Sequence, residues 1–153
     1  MAEPNETMTT ASAIISFAEK LEEDSFRFYG ELAEKYTEER ETFLSFVKES
    51  EKNKVLLTRT YQETITDAIE ACFSFKFLDL RDYLVETTLA EETNCKDALK
   101  RALEFEEKGS RFYMDVAERS RSLLATIPLA FRKVAEVRNK RKLKVKSLLE
   151  KLT

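Results

Sequence analysis

The chain has no histidine and only two residues each of glycine, proline and cysteine. Without histidine there is no Ser-His-Asp triad, no imidazole general base and no imidazole metal ligand. Two glycines and two prolines are too few for the tight turns of a sandwich or barrel. Cys72 and Cys95 form no CxxC pair, so they support neither a zinc ribbon nor a thioredoxin-like site. They are expected to be reduced, with a disulfide between them left open. No stretch approaches the roughly 18 apolar residues of a membrane span. Met1 to Thr10 is polar and acidic and lacks the apolar centre of a secretion signal. It reads as a flexible N-terminus of a cytoplasmic protein.

What is present suits one domain. The 153 residues are 42% hydrophobic and 36% charged, enough for one core and too apolar for a disordered chain. The 26 basic and 29 acidic residues leave a net charge of −3, which asks for neither nucleic acid nor a membrane surface. Few breakers and much Glu, Lys, Leu and Ala predict an all-α fold, a bundle of helices.

Apolar residues at three- and four-residue spacing mark four helices, at about 11–36, 38–64, 94–122 and 128–152. Thr37 and Asn94 are candidate N-caps, and Pro128 suits a first helical turn. The inward lines run Ile14, Ala18, Leu21, Ser25, Phe28, Leu32, Tyr36 in the first helix. In the second they run Phe43, Val47, Ser50, Asn53 or Lys54, Leu57, Tyr61. The third gives Ala98, Ala102, Phe105, Gly109, Phe112, Val116. The fourth gives Phe131, Val134, Arg138, Arg141, Val145, Leu148, Leu152. The intervening 65–93 is too long for a turn and holds the apolar run from Ala71 to Leu78; it reads as a crossover carrying a short helix.

The two halves repeat at a shift of 84 residues. Ala18, Glu22, Glu23, Arg27, Phe28, Tyr29, Ala33 and Glu34 recur as Ala102, Glu106, Glu107, Arg111, Phe112, Tyr113, Ala117 and Glu118. Glu-Glu followed by Arg-Phe-Tyr at one register predicts two duplicated helical hairpins joined by the crossover.

Leu21 to Ala33, its copy at Phe105 to Ala117, and the hairpin repeat resemble the rubrerythrin branch of the ferritin-like proteins, over about residues 11–152. The resemblance implies a ferritin-like four-helix bundle holding two metal ions, usually iron. One Glu would come from each of two helices and a Glu-x-x-His pair from each of the others. It also implies a di-iron peroxidase or ferroxidase activity and a homodimer. No rubredoxin-type cysteine site accompanies it.

Transferred residue by residue, the ligand set is broken. Glu22 and Glu106 stand at the lone-Glu positions. Counting from Phe43 places Ser50 and Asn53 where Glu and His belong; counting from Phe131 places Arg138 and Arg141 there. Slipping the register by a turn offers Glu49, Glu51 or Glu136 as ligands, with iron or manganese as the cofactor of that alternative, but restores no histidine. A divalent ion and two guanidinium groups would also repel each other in one small cavity.

Arg138 and Arg141 lie on an otherwise apolar inward line, so they are expected inside, paired with Glu22 and Glu106 as counter-charges in place of metal. Ser50 and Asn53 would add neutral hydrogen bonds. Tyr29 and Tyr113 follow the two glutamates by seven residues and read as aromatic packing groups; the alternative is donors at the site. Residues 73–77 read as core cover or a dimer surface, and the basic run from Arg138 to Lys146 as a solvated face. The expected function is a non-catalytic structural or binding protein without a cofactor. The alternatives are a metal-binding oxidoreductase or iron-handling protein with an atypical carboxylate site, and an interaction module that docks through the crossover.

Overall fold

The computed structural model describes residues 9–64, 74–75, 78–120 and 126–152. It contains four long helices: α1 (Ala11–Lys35), α2 (Arg40–Thr64), α3 (Cys95–Arg119) and α4 (Thr126–Lys151). Each has the three-four spacing of apolar residues that gives a helix one buried stripe. Helix α1 packs along α2 and α3 along α4, and the two hairpins meet chiefly through α2 and α4. The four stripes close on one core, where Phe28, Leu57, Phe112 and Val134 are fully buried. Burying a side chain of that size stabilises the fold by roughly 1.5–3 kcal/mol. No helix among the described residues is long and apolar enough to cross a membrane.

Local signals set the helix ends. Thr10 caps α1 by accepting from the Ala13 N–H at 3.1 Å, and Asn94 caps α3 by accepting from the Asp97 N–H at 2.8 Å. Pro128 lies in the first turn of α4, where its missing N–H has no intrahelical partner to lose. Thr37 does not cap α2. It opens a 3₁₀ turn, Thr37–Glu39, entered from Tyr36 with no side-chain cap, and α2 begins only at Arg40. The inward line of α4 also ends earlier than its spacing suggests: Leu148 is buried, but Leu152 lies just past the helix end and is 48% exposed.

Thr9–Thr10 (β1) pairs antiparallel with Ser74–Phe75 (β2), so residues 9 and 10, expected to be flexible, are held in a strand pair and part of the expected short helix is instead extended. The helical turn seen between α2 and α3 is 3₁₀, Leu80–Tyr83, capped by the Asp79 side chain on the Arg81 N–H. Residues 71–73, Cys72 among them, and 76–77 lie outside the described residues, while Leu78 at the end of the run is buried in the core. From residue 78 onward the segment is tied to α1 and α3. Arg27 donates to Thr87 Oγ1 at 2.9 Å and Tyr36 to the Thr93 carbonyl at 2.7 Å. Lys108 donates to the Leu84 carbonyl at 3.2 Å, and Tyr83 donates to Asp115. Beneath this strap α1 and α3 touch through Phe17 on Phe112 and Phe28 on Phe105, with ring centroids 4.9 and 5.8 Å apart.

Candidate functional site

The middle of the core is ionic. Arg138 and Arg141 are 0% and 2% exposed, and Glu22 and Glu106 are 1% and 0%. The three-residue spacing in α4 points both guanidinium groups at the seam, while α1 and α3 present their glutamates from across it. Arg138 bridges the two carboxylates. Its Nε and Nη2 lie 3.1 and 3.0 Å from Glu22 Oε2, and its Nη1 lies 3.0 Å from Glu106 Oε1. Arg141 donates through Nη1 to Glu106 Oε2 at 3.3 Å and to Ser25 Oγ at 3.0 Å. Its Nε and Nη2 reach Glu49 Oε1 at 3.2 and 3.1 Å.

The two tyrosines complete the cluster by crossing between hairpins. Tyr29 of α1 donates to Glu106 Oε2 of α3 at 2.5 Å, and Tyr113 of α3 donates to Glu22 Oε2 of α1 at 2.6 Å. Burial, then the adjoining carboxylate, holds each hydroxyl well above the usual tyrosine range. Asn53 donates to Glu22 Oε1 at 3.3 Å. Every oxygen of Glu22 and Glu106 therefore accepts a hydrogen bond. Among the described residues no buried side-chain nitrogen or oxygen lacks a partner.

Aromatic faces line the cations. Arg138 Cζ lies 4.9 Å from the Phe105 ring centroid, and Arg141 Cζ lies 5.2 and 5.5 Å from those of Phe46 and Tyr29. A planar guanidinium can stack on a ring and hydrogen-bond at its edge together, which an ammonium cannot. Burial alone would lower both arginine pKa values, but the charges of Glu106 and Glu22 outweigh it, so both are raised and the groups stay charged. Gly109 makes room for this. A Cβ there would stand 2.9 Å from Arg138 Cδ and 3.0 Å from its Nη1. Ser25, 84 residues earlier, is the partner of Arg141 instead.

The expected residues are thus placed as follows. Glu22, Glu106, Arg138, Arg141 and Asn53 come together. Ser50 is buried but touches no carboxylate; its Oγ lies 2.9 Å from both Ser25 Oγ and the Phe46 carbonyl. Asn53, not Lys54, takes the inward position of α2, and Lys54 pairs with Glu23 outside. Glu49 is a partner of Arg141, with its side chain 43% exposed at the rim. Glu51 and Glu136 are exposed and reach neither carboxylate nor guanidinium. Tyr29 and Tyr113 pack against aromatics and are also donors to the cluster, which spacing alone did not favour. Ser25 and Gly109 were legible as inward residues but not as the partner of one arginine and the space for the other. A glycine in mid-helix, about 1 kcal/mol worse there than alanine, was the available signal.

A metal ion does not fit this donor set. The carboxylate oxygens are directed at guanidinium, phenol and amide hydrogens, and the space between them is filled by Arg138. Among the described residues no three or more His, Cys, Asp or Glu converge as a metal site would require. No protein-family model matches the chain, and it matches no curated protein and no solved structure.

Proposed function

We propose that this chain is a rubrerythrin-like member of the ferritin-like proteins in which two arginines have taken over the position of the di-iron centre. Its role is then structural or binding rather than catalytic. The 84-residue repeat supports descent from a duplicated hairpin, and so does the reciprocal exchange of Tyr29 to Glu106 and Tyr113 to Glu22. The long segment between α2 and α3 suits the crossover such a fold needs. The observation that carries the functional reading is the complete engagement of Glu22 and Glu106 by Arg138, Arg141, both tyrosines and Asn53. A resident divalent ion would have to displace a guanidinium that already neutralises the same oxygens.

Metal analysis of protein purified without chelator tests this. Iron and manganese are expected well below one ion per chain, and unchanged in Glu22→Gln and Glu106→Gln. One or two ions per chain that vanish in those variants, or metal-dependent peroxide reduction or iron oxidation, would overturn the reading. Pairing into a cytoplasmic homodimer belongs to the same proposal, and light scattering decides the dimer.

A further inference from the structure

Helix α4 is cationic on both sides, but the two sides are treated differently. Inward, Arg138 and Arg141 meet Glu22, Glu106 and Glu49. Outward, Arg132, Lys133, Lys140, Lys144 and Lys146 are exposed, and among the described residues none of the five has an ion-pair partner. Elsewhere among the described residues some surface cations are paired (Lys20 and Arg27 share Asp24, Lys54 meets Glu23, and Lys108 meets Glu104), while others, Lys48, Lys52, Lys96 and Lys100 among them, are not; what sets α4 apart is the excess of cations over anions. Thr126–Lys151 holds nine cations and two anions, a net of +7, so the rest of the chain carries −10 to reach the total of −3. Lys140 and Lys144 repel across one turn, which works against the helix that carries them.

Two large apolar groups stand among these cations. Leu129 is 62% exposed and Leu143 57%. They are fourteen residues apart, nearly four turns, and so share one face about 21 Å along the axis. At the helical rotation of about 100° per residue, Lys133, Lys140 and Lys144 follow one side of the line between them, and Arg132 and Lys146 the other; exposed Glu136 is the one acid on the line, midway between the leucines, so the face is cationic at its flanks.

We propose that the outer face of α4 is a docking surface for an acidic amphipathic helix of a partner protein. Leu129 and Leu143 are the apolar anchors, and the flanking cations meet Asp or Glu on both sides of the incoming helix. The leucines favour protein over nucleic acid, whose phosphate backbone has no use for them, and the strongly negative remainder of the chain opposes an extended polyanion. Two isolated leucines with no aromatic residue between them are also a poor anchor for a bilayer. The surface is independent of what the buried cluster replaces.

The full chain is titrated with a fluorescent helical peptide that has leucine at every seventh position and glutamate on both flanks. Saturable binding is expected, weakening as salt is raised. Lys140→Glu/Lys144→Glu should reduce affinity about tenfold or more. Leu143→Ser should weaken it at every salt concentration, separating apolar contact from bulk attraction. These positions are exposed, and circular dichroism melts check that the variants fold; Arg132→Glu/Lys133→Glu is a second, independent reversal. The absence of saturable binding overturns the proposal. So does equal binding of a scrambled peptide of the same composition, or tighter binding of single-stranded DNA or of phosphatidylserine vesicles than of the peptide.

Discussion

Arg138→Leu removes the cation that touches both inward carboxylates. Glu106 keeps Arg141 at 3.3 Å and Tyr29 at 2.5 Å, but Glu22 keeps only the neutral donors Tyr113 and Asn53. A carboxylate at 1% exposure is then buried without a counter-charge. Breaking a buried pair from one side costs about 3–5 kcal/mol. That is a large part of the roughly 5–15 kcal/mol that holds a domain together. At about 2–4 °C per kcal/mol for a chain of this size, the melting temperature should fall by roughly 6–20 °C. Urea unfolding followed by circular dichroism measures the loss directly, with an unchanged slope expected if the native state stays compact. Glu22→Gln in the same background closes a double-mutant cycle, because it removes the charge that Arg138→Leu orphans. Coupling of about 1–3 kcal/mol is expected. A single-variant loss within about 0.5 kcal/mol, or simple additivity, would refute the ion-pair account.

Other changes probe the surroundings. Gly109→Ala should destabilise by about 1–2 kcal/mol despite alanine's better helix propensity, because the new Cβ meets an Arg138 pinned by two carboxylates; a stabilised variant in thermal melts would count against that packing. Tyr29 and Tyr113 are held protonated in the fold, whereas in the unfolded chain they ionise near pH 10, so stability is fully present below about pH 10 and falls as pH rises beyond it. Ultraviolet titration should show both hydroxyls silent until a cooperative alkaline unfolding; reversible ionisation of every tyrosine near pH 10 in folded protein would contradict this. Asn94→Ala should cost about 1 kcal/mol in urea unfolding by removing the cap of α3, and no change would place the start of that helix elsewhere.

Much of this was written in local spacing. A helix has one buried stripe, so the three-four pattern located α1 to α4 to within a few residues. An interrupted stripe located Arg138 and Arg141, because Val134 and Val145 bracket them and are themselves fully buried. The counter-charges followed from the cost of leaving a cation unpaired. Less legible was everything decided between helices. That each tyrosine serves the glutamate of the opposite hairpin depends on how α1 and α3 approach under the strap, and no spacing within one helix encodes it. Ser50 faces inward as its register requires, yet its hydroxyl reaches a backbone carbonyl and Ser25 instead of a carboxylate. Thr37 looked like a cap because its residue type and the acidic residues after it fit one. The chain instead makes a tighter 3₁₀ turn there, with no side-chain cap, before α2 begins at Arg40.

The cluster's charges are divided unevenly between the hairpins. Helices α1 and α2 bring Glu22 and Glu49, while α3 and α4 bring Arg138 and Arg141 with only Glu106. Two copies of the first hairpin closing on each other would face carboxylate with carboxylate, and two copies of the second would crowd four guanidinium groups around two acids. Only the mixed pairing sets both guanidinium groups against carboxylates from both hairpins and leaves each with a partner. The ionic centre is therefore a matching rule: each hairpin accepts its opposite and rejects a second copy of itself, whichever chain that opposite comes from.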